Sequence, residues 1–197
     1  MFKAPMVFLL GTMLCVACAP VSTTTSKPAK TKVTPRSSPV VKPKPVVIAP
    51  DAGARPVVRG SGPAVQVSIL VFSDFQCPFC SKAHKTIQAL RREYGDRLEF
   101  VYMHNPLTFH PLGFDAAVLA MAADQQGKFW PVHDRLYAAK PRLTKDAIVA
   151  ALVGAGVDFD QLKRDLRTKR IVTFIRKSQR IAAAIGASGT PAVFING

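Results

Sequence analysis

Acidic residues are scarce in this chain. Only 12 Asp and Glu stand against 27 Lys and Arg among 197 residues, giving a formal charge of +15 and a pI near 10.2. Cysteine is scarce too, with four residues, and histidine numbers four. Two of the cysteines, Cys15 and Cys18, lie in an apolar N-terminal segment, which leaves Cys77 and Cys80 alone in the rest of the chain. No second Cys-x-x-Cys or histidine pair accompanies them there, so the four-ligand set of a structural zinc site is missing, and His84 cannot complete one alone. No basic stretch is interleaved with aromatics, which argues against nucleic acid as the partner of the positive charge. The apolar stretch Met6 to Ala17 covers twelve residues, short of the roughly twenty that a membrane-spanning helix needs.

The excess charge is divided between two regions. Residues 1–62 hold nine basic residues and one acid, and residues 63–197 hold eighteen and eleven. Half of the excess therefore lies outside the expected folded part, where attraction to an anionic membrane or wall surface accounts for it. Residues 1–18 read as an export signal, with Lys3 before the apolar stretch. The end of that stretch, Leu14-Cys15-Val16-Ala17-Cys18, resembles a bacterial lipoprotein signal, although Cys15 stands where Leu is usual. That resemblance implies cleavage before Cys18 and acylation of its sulfur. Residues 19–62 carry Pro28, Pro35, Pro39, Pro43, Pro45, Pro50 and Pro56 among Lys, Thr, Ser and Val. Such a segment buries too little apolar surface to fold and is expected to be a disordered linker.

From residue 63 the pattern alternates. Val65 to Phe72 is β-branched and apolar, as a buried strand should be, and Ala83, Ile87, Leu90 and Tyr94 recur at helical spacing over 78–94. A strand over Leu98 to Met103 follows, then helices at about 112–125, 129–139, 144–154, 158–168 and 170–185, and a strand over 191–195. Thr144 and Asp158 are suited to N-caps, Gln161 to completing a capping box, and Gly186 to a C-cap. This order predicts an α/β domain with a helical insertion.

Cys77-Pro78-Phe79-Cys80 falls where the first strand gives way to the first helix. Pro78 suits the first helical position, because its missing N–H costs nothing there. Cys77 then becomes the N-cap, where unpaired N–H groups and the helix dipole stabilise a thiolate. Cys80 lies one turn further, within reach to close a disulfide and expel a mixed-disulfide partner. A permanently closed structural disulfide is the blander reading, but so short a loop would constrain little chain.

Several stretches in order resemble the thioredoxin superfamily, specifically its DsbA-like branch. Val71-Phe72-Ser73-Asp74-Phe75-Gln76-Cys77-Pro78-Phe79-Cys80 is similar to that branch's active-site strand and helix start. Asn105-Pro106-Leu107 with His110-Pro111, and Gly127-Lys128-Phe129-Trp130 with His133-Asp134 and Leu136-Tyr137, are similar to its helical insertion. Gly189-Thr190-Pro191-Ala192 resembles its cis-proline loop. The resemblance implies a thioredoxin-like fold over 63–197, with a helical subdomain inserted at about 108–185. It implies Cys77 as nucleophile, Cys80 as resolving thiol, Thr190 and Pro191 as the substrate-facing loop, and Pro78 and Phe79 as tuners of the dithiol. No metal is expected, and no cofactor beyond a redox-active Cys77–Cys80 disulfide.

The implied activity is thiol–disulfide exchange with cysteines of other exported proteins. The chain would act on the periplasmic side of a bacterial membrane, anchored there through Cys18 and reset by a separate redox partner. Pro-Phe between the cysteines favours an oxidant. Isomerase or reductase action, and a non-enzymatic Cu(I)-handling module built on the two thiols, are the alternatives. Outside the site, His84 reads as a surface or partly buried helix residue, Phe129 and Trp130 as core, and the Lys and Arg of 163–180 as a solvated face.

Two departures accompany the resemblance. Val71 occupies the position where the family often has a buried acid, and the nearest carboxylate is Asp74. The chain ends at Gly197, before the strand and helix with which the fold usually continues, so Val193 and Ile195 are expected on an exposed sheet edge.

Overall fold

The computed structural model describes residues 56–139 and 143–197; the expected export signal, the Cys18 lipidation site and most of the expected linker lie outside the described residues. Four strands form one sheet: β1 (Val57–Arg59), β2 (Val67–Ser73), β3 (Leu98–His104) and β4 (Ala192–Ile195), in the order β1-β3-β2-β4. β2 and β3 run parallel from Val67 beside Leu98 to Ser73 beside His104, and the outer strands are antiparallel to their neighbours. A parallel pair needs a crossover, supplied here by α1 (Pro78–Tyr94). Burial of Ile69 to Ser73 is continuous, as expected of a strand paired on both sides and covered on both faces.

Five helices lie between β3 and β4: α2 (Gly113–Asp124), α3 (Phe129–Ala138), α4 (Lys145–Gly154), α5 (Phe159–Leu166) and α6 (Arg170–Ala184). They match the expected helical insertion closely. α2 is buried on most sides because Ala116, Ala117, Ala120, Ala122 and Ala123 are small enough for α3, α5 and α6 to approach it. Thr144 Oγ1 accepts the Ala147 N–H at 3.1 Å, and Asp158 Oδ1 accepts those of Asp160 and Gln161. The capping box differs from expectation: the Asp158 N–H donates to Gln126 Oε1 at 2.8 Å, a residue just beyond the end of α2, rather than to Gln161. Gly186, at φ 78°, ends α6 in the left-handed conformation. Its N–H and that of Ala187 return to the Ala183 and Ala182 carbonyls.

The boundary at residue 62 needs correction. Val57–Arg59, inside the expected linker, is the edge strand beside β3. Three residues between Pro56 and Gly60 are too few to show a period, and α3 fixes them from outside. The Trp130 indole N–H donates to the Val58 carbonyl at 3.4 Å, and the Arg59 guanidinium lies 4.0 Å from the Trp130 ring centre. On the opposite edge, Val193 and Ile195 of β4 are 47% and 61% exposed, as expected.

Phe129 is core, as read from the sequence, within an aromatic cluster with Phe75, Tyr102 and His104. Both ring nitrogens of His104 are buried with no hydrogen-bond partner among the described residues. Burial lowers its pKa to about 3, so the fold accepts only the neutral imidazole. Its contribution to stability is complete above the ordinary histidine value of about 6.5 and is lost progressively as pH falls toward 3. The urea midpoint should therefore fall between pH 7 and pH 4, and His104→Phe should flatten that limb. An unchanged pH slope in the variant would refute this assignment.

Candidate active site

The dithiol sits where β2 ends. After Ser73 the chain turns through Asp74-Phe75-Gln76, closed by the Cys77 N–H donating to the Asp74 carbonyl at 3.1 Å. Cys77 is the extended N-cap residue of α1 (φ −74°, ψ 123°) and Pro78 opens the helix, as the sequence predicts. Both cysteines are free thiols, 4% and 1% exposed. The Cys77 thiol donates to the Thr190 carbonyl at 3.3 Å, and the Thr190–Pro191 peptide is cis. The loop before β4 thus meets the start of α1, and Cys77, Cys80, Thr190 and Pro191 converge although 110 residues separate Cys80 from Thr190 in the chain. Phe79, between the cysteines, is 63% exposed and forms an apolar rim beside them.

The two sulfurs have different surroundings. The Asp74 N–H points at Cys80 Sγ from 3.5 Å. Burial pushes the Cys80 thiol up to about 12, against the opposing hydrogen bonds of the Ser73 side chain and the Asp74 N–H. Ser73 Oγ lies 2.7 Å from the Tyr137 hydroxyl, which lies 2.9 Å from that of Tyr102. Both tyrosines are held protonated well above the ordinary range by burial. A chain of three buried hydroxyls therefore ends beside the second thiol.

Asp74 does not act toward Cys80 with its carboxylate. Its side chain is fully buried, with Oδ1 accepting the Gln76 N–H at 2.8 Å. Oδ2 accepts from the Leu107 N–H at 2.9 Å and lies 2.6 Å from His110 Nδ1. Gln76 Oε1 in turn accepts the Leu112 N–H at 2.6 Å. The acid therefore joins the turn before Cys77 to the loop that begins the helical insertion. Sequence reasoning left Ser73, Gln76, Tyr102 and Tyr137 without roles, because hydroxyls and amides in a strand or on a helix carry no spacing signal. His110 was noticed only as part of a motif.

A second polar cluster lies between α1 and α3. His133 Nδ1 is 2.9 Å and His84 Nε2 3.8 Å from Asp134 Oδ1, while Arg59 donates to Asp134 Oδ2 at 3.2 Å. Burial lowers the pKa of both histidines, that of His133 to about 4. Burial pushes Asp134 up, but the His133 hydrogen bond and the positive charge around it prevail, bringing its pKa to about 2. His84 is largely buried and stacks on Tyr137, with ring centres 4.9 Å apart.

Residues 68–197 match the DSBA-like thioredoxin domain family. The chain belongs to that family. A thioredoxin-like oxidoreductase from Silicibacter pomeroyi superposes with a TM-score of 0.64 at 28% identity, over 71% of this chain and 79% of that one. The thiol-disulfide exchange protein alpha-DsbA2 from Wolbachia pipientis gives a TM-score of 0.62 at 20% identity, over 70% and 74%, and so shares the fold. Among curated relatives, the Na(+)/H(+) antiporter NhaA 1 of Mycolicibacterium vanbaalenii is 36% identical over 143 residues. That match covers 71% of this chain and 23% of the antiporter. The chain spans less than a quarter of that relative's length, and no helix among the described residues is long and apolar enough to cross a membrane.

Asp74 leaves a measurable trace at Gly113. A Cβ on that residue would lie 2.6 Å from Asp74 Oδ1, inside contact distance of a fully buried group. Gly113→Ala should destabilise the protein by about 1–3 kcal/mol, as overpacking does, read as a lowered urea midpoint. Gly189→Ala, whose added carbon meets nothing within 4 Å, should stay near the parent value. Equal midpoints for the two variants would mean that Asp74 is not held as described.

Proposed function

We propose that this protein is an exported thiol–disulfide oxidoreductase that oxidises cysteine pairs in other exported proteins through Cys77 and Cys80. One observation carries the reading: two free thiols one helical turn apart, with Cys77 at the helix N-cap against the cis-proline loop and Cys80 buried behind it. In the oxidised form a substrate thiolate attacks Cys77 Sγ, the Cys77–Cys80 bond breaks, and Cys80 leaves and takes up a proton. The substrate's second thiolate then attacks its own sulfur in the mixed disulfide and releases Cys77. Two electrons pass from substrate to dithiol, and a separate redox partner removes them. The high pKa of Cys80 suits a thiol that stays protonated once released, leaving Cys77 as the attacking and attacked sulfur.

Thr190 and Pro191 are assigned to substrate binding because that loop lies directly against the Cys77 thiol, beside which an extended peptide's main chain can pair. Pro78 and Phe79 tune the dithiol from inside the motif. No cofactor beyond the disulfide enters the scheme. The N-terminal pattern supports export and anchoring at Cys18 on the periplasmic side of a bacterial membrane.

The test uses the full chain carrying Cys15→Ser and Cys18→Ser, so that the dithiol holds its only cysteines. With a peptide bearing two thiols as substrate, Cys77→Ser should reduce oxidation to the buffer rate. Given glutathione disulfide in place of the peptide, Cys80→Ser should hold a glutathione mixed disulfide on Cys77, with one glutathione thiolate released, visible by mass spectrometry. Adduct formation on Cys80 of the Cys77→Ser variant, with none on Cys77 of Cys80→Ser, would reverse the roles. An equilibrium with glutathione near the thioredoxin value of about −270 mV would replace the oxidant reading with a reductant.

A further inference from the structure

The dithiol chemistry leaves His84, His133 and Asp134 without a task. His133 is 1% exposed, its Nε2 has no partner among the described residues, and its Nδ1 faces the part-exposed Asp134 carboxylate. We propose that these three side chains form a binding site for a divalent transition-metal ion of the zinc type, separate from the thiols.

The geometry supports a cation at Asp134 Oδ1. Both histidines approach that one oxygen, at 2.9 and 3.8 Å, and one donor atom from each of the three groups lies within 4.8 Å of the others. An ion about 2.1 Å from each of its ligands holds them roughly 3.4 Å apart in a tetrahedral arrangement. Reaching that spacing opens the 2.9 Å pair slightly and closes the widest by up to about 1.4 Å, through side-chain rotation of His84 and Asp134, the two less buried members. Arg59 occupies the other oxygen, Oδ2, and so fixes the carboxylate's orientation without covering Oδ1.

The tautomers are compatible. Gln88 Nε2 lies 3.0 Å from His84 Nε2, and a donating amide there means that this nitrogen carries a lone pair. At His133 the ion takes the place of the proton between Nδ1 and Asp134. That proton moves to Nε2, which has no partner among the described residues in either form. The fourth position faces a surface cleft of about 610 Å³ lined by Gln88, Lys85, Arg92 and Tyr137. The Gln88 amide oxygen or a water can fill it. Two imidazoles and one carboxylate suit borderline divalent ions, whereas Cu(I) prefers the softer thiolates.

The test uses Co2+, which reports its ligands in the visible spectrum, with Zn2+ as competitor. The protein is the full chain carrying C15S, C18S, C77S and C80S, so no thiolate can bind and the result does not depend on disulfide exchange. One Co2+ per chain should bind, with nitrogen and oxygen ligand-field bands and no sulfur charge-transfer band. Zn2+ should displace it and raise the thermal midpoint. His84→Ala and Asp134→Asn, added separately, should each weaken binding at least tenfold while circular dichroism stays unchanged. Absence of binding in the cysteine-free chain, or binding that survives both substitutions, would overturn the proposal.

Discussion

A carboxylate with no water around it has to be fully hydrogen-bonded, and Asp74 meets that demand with groups from two separate parts of the chain. Gln76 contributes from the active-site turn, and Leu107 and His110 from the start of the helical insertion. The same residue uses its main chain on the dithiol. Its carbonyl takes the Cys77 N–H and its N–H faces Cys80. The positions of both sulfurs thus depend on one buried aspartate, and the insertion is fastened to the active-site turn. An Asp74 exchanged for an apolar residue would leave the Gln76 and Leu107 N–H groups and the His110 ring without this partner, and the penalty falls on those stranded groups.

The sequence was most legible where a single periodicity or spacing carries the information. The helix over 78–94 follows from apolar residues at intervals of three and four, and the place of Cys77 at the N-cap follows from Pro78 beside it. The Thr144 and Asp158 caps follow from side-chain chemistry. What stayed hidden depends on distance across the fold. β1 is three residues long and is held by Trp130 and Arg59 from α3, which no local pattern reveals. Gln161 fits a capping box by spacing, yet Gln126 takes the bond, because the fold sets the end of α2 beside the start of α5. The work of Asp74 was missed for a similar reason. Gln76 lies close to it in the chain, but Leu107 and His110 lie more than thirty residues away.

The missing acid at Val71 changes how Cys80 is handled. A carboxylate at that position would add a negative charge beside a buried thiol. Here the thiol meets hydrogen-bond donors instead: the Ser73 hydroxyl and the Asp74 N–H. Neutral donors stabilise a departing sulfur without adding charge to the interior, and the tyrosine hydroxyls behind Ser73 polarise it further. They do not overcome burial, as the position of the Cys80 pKa near 12 shows. The consequence is a second thiol that burial keeps protonated, with hydrogen-bond donors placed beside its sulfur. The protonation of Cys80 therefore rests on burial, with the neighbouring donors as a correction.

Tyr137 connects this arrangement to the histidine cluster. Its hydroxyl meets Ser73 on one side, while its ring stacks on His84 and packs edge-on against His133 on the other. α3 therefore carries the shared wall and, through His133 and Asp134, most of the second cluster. A helix with two such duties cannot shift without cost to both, which explains why it is anchored on its outer side by Trp130 against β1 and by Arg59 on Asp134. The short strand β1 is then more than an edge of the sheet. By holding Arg59 over Trp130 it fixes the helix that backs the dithiol, so the folded unit includes Val57–Arg59.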